Sequence, residues 1–159
     1  MINFYCSEDL QNTLSHMNVE KYGPAYSGES AGLDLYNCGE DIIINPIQDF
    51  DHSNKILIKT GLHILVPEGY VALIQERGSI TKSPLKVRAG VIDHGYTGEI
   101  FVNAVNVSKN KFLIERHQKL PFQIVVVKCD NHFEEIEKEE YLKLTSSHLR
   151  KDGNVGSSD

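Results

Sequence analysis

Residues 87–106 read VRAGVIDHGYTGEIFVNAVN, and they place a single acid, Asp93, at a turn between two runs with strand patterning. Gly90, Gly95 and Gly98 punctuate the stretch, and Tyr96 stands three positions past the acid. Glycine at such places marks a backbone that turns through positive φ or lets another group approach closely. The ordinary reading is a β-hairpin with a solvated aspartate. The alternative is an acid and an aromatic ring held beside a small planar ligand, and the surrounding segments favour it.

Outward from the hairpin the pattern is that of many short strands. Lys55–Ile58, Leu62–Val66, Gly69–Gln75, Val87–Ile92, Glu99–Val107, Lys111–Ile114 and Gln123–Cys129 carry apolar runs separated by turn chemistry such as Pro67-Glu68-Gly69. This predicts an all-β sandwich, jelly roll or barrel. Ser7-Glu8-Asp9-Leu10 can cap a short helix through Met17. Glu134–Lys143 suits a short helix or an edge strand, and Phe133–Ile136 is assigned to strand. Pro121 should leave the start of its strand irregular or at an edge. The expected division is one β domain over residues 1–145 and a mobile tail over 146–159, since SSHLRKDGNVGSSD has no apolar periodicity.

Composition narrows the class. A chain of 159 residues suits one core. Its net charge of −6 argues against general nucleic-acid affinity, although a few local cations can hold one nucleotide. Neither a membrane span nor a secretory leader is expected. Cys6, Cys38 and Cys129 are odd in number and scattered, which disfavours a disulfide framework or zinc site and suggests an intracellular, cytoplasmic protein.

Four further segments carry chemistry. Residues 24–35, PAYSGESAGLDL, bring Asp34 into a strand, where it faces water or orients waters around a hard cation. Arg77-Gly78-Ser79 closes a strand with a cation, a close-approach position and a hydroxyl. Residues 117–125, HQKLPFQIV, lead into a strand through Gln123. The tail segment RKDGNVGSS is either a solvated terminus or a flexible lid whose backbone N–H groups and serines close on phosphate oxygens.

In this order the five segments resemble the five motifs of the homotrimeric dUTPase family. PAYSGESAGLDL is similar to the first, GVIDHGYTGEI matches GxIDxxYxGEI of the third, and RKDGNVGSS keeps the Arg, Asp-Gly and Gly-Ser-Ser of the fifth. Departures are specific. Arg77-Gly78-Ser79 stands where the family reads Arg-Ser-Gly or Arg-Ser-Ser, so the serine is displaced by one residue. The fourth motif, GDRIAQL, aligns its glutamine with Gln123 only by allowing one extra residue. Val155 replaces an aromatic, and Val87 an asparagine.

The resemblance implies a distorted jelly-roll, β-clip subunit assembled as a homotrimer, with hydrolysis of dUTP to dUMP and diphosphate by water attack on the α-phosphorus. Such an enzyme limits uracil in DNA and supplies dUMP for thymidylate synthesis. Asp93 would be the catalytic base, and Asp34 would hold Mg²⁺ through water, the ion sitting mainly on the triphosphate. Arg77, Gly78, Ser79 and Arg150 would bind phosphate, with Gly153, Gly156, Ser157 and Ser158 closing over it; Gln123 would bind substrate, and Val155 would cover the base. Val87, Gly90, Val91, Ile92 and Tyr96 would read uracil and deoxyribose. Alternatives are a non-catalytic or regulatory nucleotide-binding relative, and a dCTP deaminase relative. A viral origin would place the protein in a host cytoplasm or nucleus.

Overall fold

Alternation of apolar and polar residues gives several strands one buried face, as in β6, while β2 is buried on both. In the computed structural model, residues 1–26, 29–47 and 56–147 are described. Eleven strands run β1 (Asn3–Cys6), β2 (Gly32–Tyr36), β3 (Ile42–Ile44), β4 (Leu57–Lys59), β5 (Leu62–Leu65), β6 (Tyr70–Glu76), β7 (Leu85–Arg88), β8 (Val91–Ile92), β9 (Phe101–Asn106), β10 (Phe112–Ile114) and β11 (Lys119–Lys128). Two helices, α1 (Glu8–His16) and α2 (Lys138–Thr145), complete the set. The strands pair antiparallel as β2-β11-β6-β8, β4-β9-β7, β1-β5 and β10-β3, an all-β arrangement of jelly-roll type.

The four-stranded sheet explains where chemistry can sit. Ile124 of β11 faces Leu33 of β2 on one side and Ile74 of β6 on the other, and all three are buried in the core. With a period of two, the neighbouring row must point to the opposite face. That row is Asp34, Gln123 and Gln75, directly opposite one another across β2, β11 and β6.

Helix α1 begins as its sequence predicts, with the Ser7 side chain accepting from Leu10 N. It buries Leu10, Thr13 and Leu14. Gly61, at φ 64°, admits this N-terminus: a Cβ there would stand 2.5 Å from Ser7 Oγ, and Ser7 N donates to Gly61 O at 2.8 Å.

Two local expectations change, and a third is met in one of its two forms. Phe133–Ile136 is not a strand: it pairs with no strand among the described residues, and Phe133 is 92 % exposed. The helix starts only at Lys138, with Glu139 and Glu140 in its first turn and Lys143 in its last, favourable to its dipole. Val87–Ile92 is not one strand either. Ala89, at φ 50°, breaks it, so that β7 joins β9 while β8 joins β6. Gly90 then lies so close to β6 that a Cβ would meet Ile74 O at 2.9 Å. Pro121 sits between two partners rather than at an edge, and the irregularity is real. From Lys119 to Gln123 β11 takes four steps while β2 takes two, Tyr36 to Asp34, a bulge that spares proline a ladder hydrogen bond.

Candidate active site

The switch of sheets at Ala89-Gly90 opens a cleft of about 300 Å³. Its walls include Ala89, Val91, Ile92, Asp93, Tyr96 and Phe101. The turn is closed by Tyr96 N donating to Asp93 O at 3.0 Å. Tyr96 O–H donates to Glu99 O at 2.7 Å, laying the ring over Gly98, where a Cβ would meet the phenolic oxygen at 2.7 Å. The ring stays 44 % exposed, an apolar face turned outward. Asp93 is exposed, and its carboxylate has no partner among the described residues. Strands β7 and β8 are both edge strands, so each keeps one row of backbone N–H and C=O outside its sheet.

The Val87 side chain packs against the core, and neither Val87 nor Gly90 is among the residues lining the cleft. Ala89, Ile74, Leu57 and Phe101 line it instead, and none was singled out by sequence reasoning. An alanine between two strand-like runs carries no signal of positive φ, and cross-chain neighbours such as Leu57 carry none in one dimension.

A second cluster forms at the far end of β6. Asp34 is 8 % exposed and accepts Arg77 Nε on Oδ1 at 2.5 Å, while Lys119 Nζ pairs with Oδ2. Gly78–Lys82 form a 3-10 turn entered from Arg77, whose N–H donates to Pro121 O at 2.9 Å. The bulge at Pro121 thus fixes the backbone of Arg77. Ser79 Oγ is 3.4 Å from Arg77 Nη1. Gln123, opposite Asp34, reaches Glu76 O at 3.4 Å. Lys119 was missed in the sequence, because the one-residue excess before Gln123 did not reveal which neighbour the bulge would turn inward.

The clusters do not meet within one chain. Ile92 is paired with Ala72 and Val91 with Leu73, so Asp93 comes level with Val71, six residues from Arg77. At about 3.3 Å per residue the separation is roughly 20 Å. Arg150, Gly153, Val155, Gly156, Ser157 and Ser158 lie outside the described residues.

Among the described residues no three ligating side chains gather to hold a metal ion. Both Asp34 oxygens are engaged by cations, so this donor set does not form a resident cage. No helix among the described residues is long and apolar enough to cross a membrane.

Among the described residues an all-β fold thus carries a sheet-edge cleft with an unpaired carboxylate and, roughly 20 Å away, a separate cationic cluster. The dUTPase family profile matches residues 20–159, and the chain belongs to that family. It is 35 % identical over 136 residues to the deoxyuridine 5'-triphosphate nucleotidohydrolase of Hydrogenobaculum sp. (strain Y04AAS1), covering 84 % of this chain and 85 % of that one. The enzyme of the same name from Wolbachia pipientis subsp. Culex pipiens is 32 % identical over 140 residues, covering 85 % of each. Among solved structures, the Staphylococcus bacteriophage 80alpha dUTPase with dUPNHPP superposes at a TM-score of 0.71 with 21 % identity, covering 100 % of this chain and 98 % of that one. The fold is therefore that of the dUTPases.

Proposed function

We infer that this protein hydrolyses dUTP to dUMP and diphosphate, with water attacking the α-phosphorus in line. The observation that carries the reading is the Asp93 carboxylate, unpaired among the described residues at a cleft lined by Tyr96 and the edge strand β8. Asp93 orients the water and accepts its proton. Uracil presents acceptor, donor and acceptor on its pairing edge, and the outward main-chain groups of β8 answer it, Val91 above all, since Gly90 O already accepts from Ile74 N at 2.8 Å. Cytosine would leave buried groups unpaired and is rejected more strongly than size alone allows. Tyr96 packs on the deoxyribose and leaves no room for a 2'-hydroxyl.

Arg77 and Arg150 take the charge of the β- and γ-phosphates, with Gly78 giving close backbone approach and Ser79 a hydroxyl. Gln123 donates from the row shared with Asp34. Residues 146–159 act as a lid, in which Gly153, Gly156, Ser157 and Ser158 supply phosphate donors and Val155 covers the base. Mg²⁺ on the triphosphate supplies charge neutralisation, and Asp34 holds its waters only if a cation yields one of its oxygens. The roughly 20 Å between Asp93 and Arg77 supports sites shared between copies, which the family's homotrimer provides.

Diphosphate release from dUTP with Mg²⁺ tests the reading, and the expected result is release from dUTP but not from dCTP or UTP. Nucleotide binding without diphosphate would favour the non-catalytic alternative raised by Gly78 and Val155. Ammonia from dCTP would favour the deaminase.

A further inference from the structure

We propose that Lys119 is a positioning residue of the phosphate site, acting through Asp34 on Arg77, an inference that rests on the dUTP reading above. A lone carboxylate and a lone guanidinium normally close a bidentate pair, two parallel N–H···O bonds that use both oxygens. Here the second oxygen is taken. Lys119 Nζ holds Asp34 Oδ2, so Arg77 is held on Oδ1 through Nε alone. Its outer edge is thereby kept open: Nη1 has only the long 3.4 Å contact to Ser79 Oγ among the described residues. A guanidinium anchored by Nε presents its two outer amino groups in the plane that suits a phosphate.

The geometry around Lys119 is built for this. It stands directly opposite Tyr36 on β2, and its Nζ lies 5.9 Å from the centre of that ring, a cation–π contact that steers the ammonium along the strand towards Asp34. The bulge between Lys119 and Gln123 sets the ammonium at Asp34 while leaving Gln123 opposite the same residue. Two cations on one carboxylate also leave the cluster with a net positive charge, where a pair without Lys119 would be neutral. Without Lys119, Arg77 rotates onto both Asp34 oxygens and withdraws an amino group from the phosphates.

The test compares wild type, Lys119→Met and Lys119→Arg by calorimetric binding of a non-hydrolysable dUTP analogue and of dUMP, with steady-state kinetics on dUTP. For Lys119→Met the analogue Kd and the dUTP KM should rise about tenfold, part of one charge-assisted hydrogen bond. kcat should stay within about threefold and dUMP binding should not change, because Arg77 serves the outer phosphates. Lys119→Arg, which keeps a cation on Oδ2, should restore the wild-type values. Unchanged analogue binding, an equal loss for dUMP, or no rescue by arginine would overturn the proposal. Should Lys119→Met fail to fold, Lys119→Ala carries the same comparison. Wild type that binds the analogue without releasing diphosphate would sink the hydrolytic reading alone, with Lys119 still judged by binding. Wild type that binds neither nucleotide would sink both.

Discussion

Gly98 is a glycine because Tyr96 occupies its side-chain space. An added Cβ would lie 2.7 Å from the phenolic oxygen and 2.8 Å from Cζ, so Gly98→Ala must lift the ring. The KM for dUTP should rise about tenfold, with discrimination against UTP reduced, as steady-state kinetics on both nucleotides would record. Asp93 has no partner among the described residues, so Asp93→Asn should leave the melting temperature unchanged and lower kcat by about 10²–10⁴. Near-normal turnover in that variant would remove Asp93 from the chemistry. Cys38 is a different case, buried with its thiol donating to Thr60 O at 3.0 Å, and burial pushes its pKa up to about 11. Thiol alkylation of the native protein at neutral pH should spare it, with peptide mass spectrometry showing label at Cys38 only after denaturation.

Helix α1 is the element whose docking exposes the limits of sequence reading. Its cap, length and first-turn acids were legible in Ser7-Glu8-Asp9, as was the alternation of β5, β6 and β9, since both signals are local. What α1 rests on was not. Thr13 Oγ1 and His117 Nδ1 lie 2.8 Å apart across 104 residues, and the His16 ring stacks on His117 at 4.6 Å. The break of Val87–Ile92 and the bulge at Pro121 were hidden for the same reason, because tertiary pairing decides them. Likewise Asp93 and Tyr96 announced themselves by spacing, whereas Lys119 became visible only in three dimensions. Desolvation, then His16 and then Arg116, lower the His117 pKa below the ordinary 6.5, with Glu40 opposing. The folded state therefore favours neutral imidazole. Where pH falls below the unfolded value, the unfolded chain binds more protons, so this stability is lost as pH drops from about 6.5 through the folded pKa. Thermal melts should fall over that window. His117→Asn, which tolerates the φ of 65° at this position, should flatten the slope. An unchanged slope would separate His117 from the pH response.

At the scale of the whole molecule, the four-stranded sheet is a spacer between two half-sites. Asp93 hangs from the β8 end of β6 and Arg77 leaves its other end, roughly 20 Å away at about 3.3 Å per residue. On the proposed reading, a dUTP at Asp93 would not span that length to the Arg77 of the same chain, and a working site would take Arg77 from another copy. Two variants that are each inactive should then complement one another. Asp93→Asn supplies an intact Arg77 and Arg77→Ala an intact Asp93, and neither change touches the core. When both are co-expressed and mix at random in equal amounts, about one site in four combines the two intact halves. Activity per site should recover to about a quarter of wild type, measured as diphosphate release after tandem-tag purification corrected for the tag-selected composition. Separately purified variants mixed without exchange of subunits should stay inactive. Failure of co-expressed, co-purifying variants to recover activity would show that Asp93 and Arg77 serve one site within one chain, and β6 would then have to bend or release β8 to bring them together.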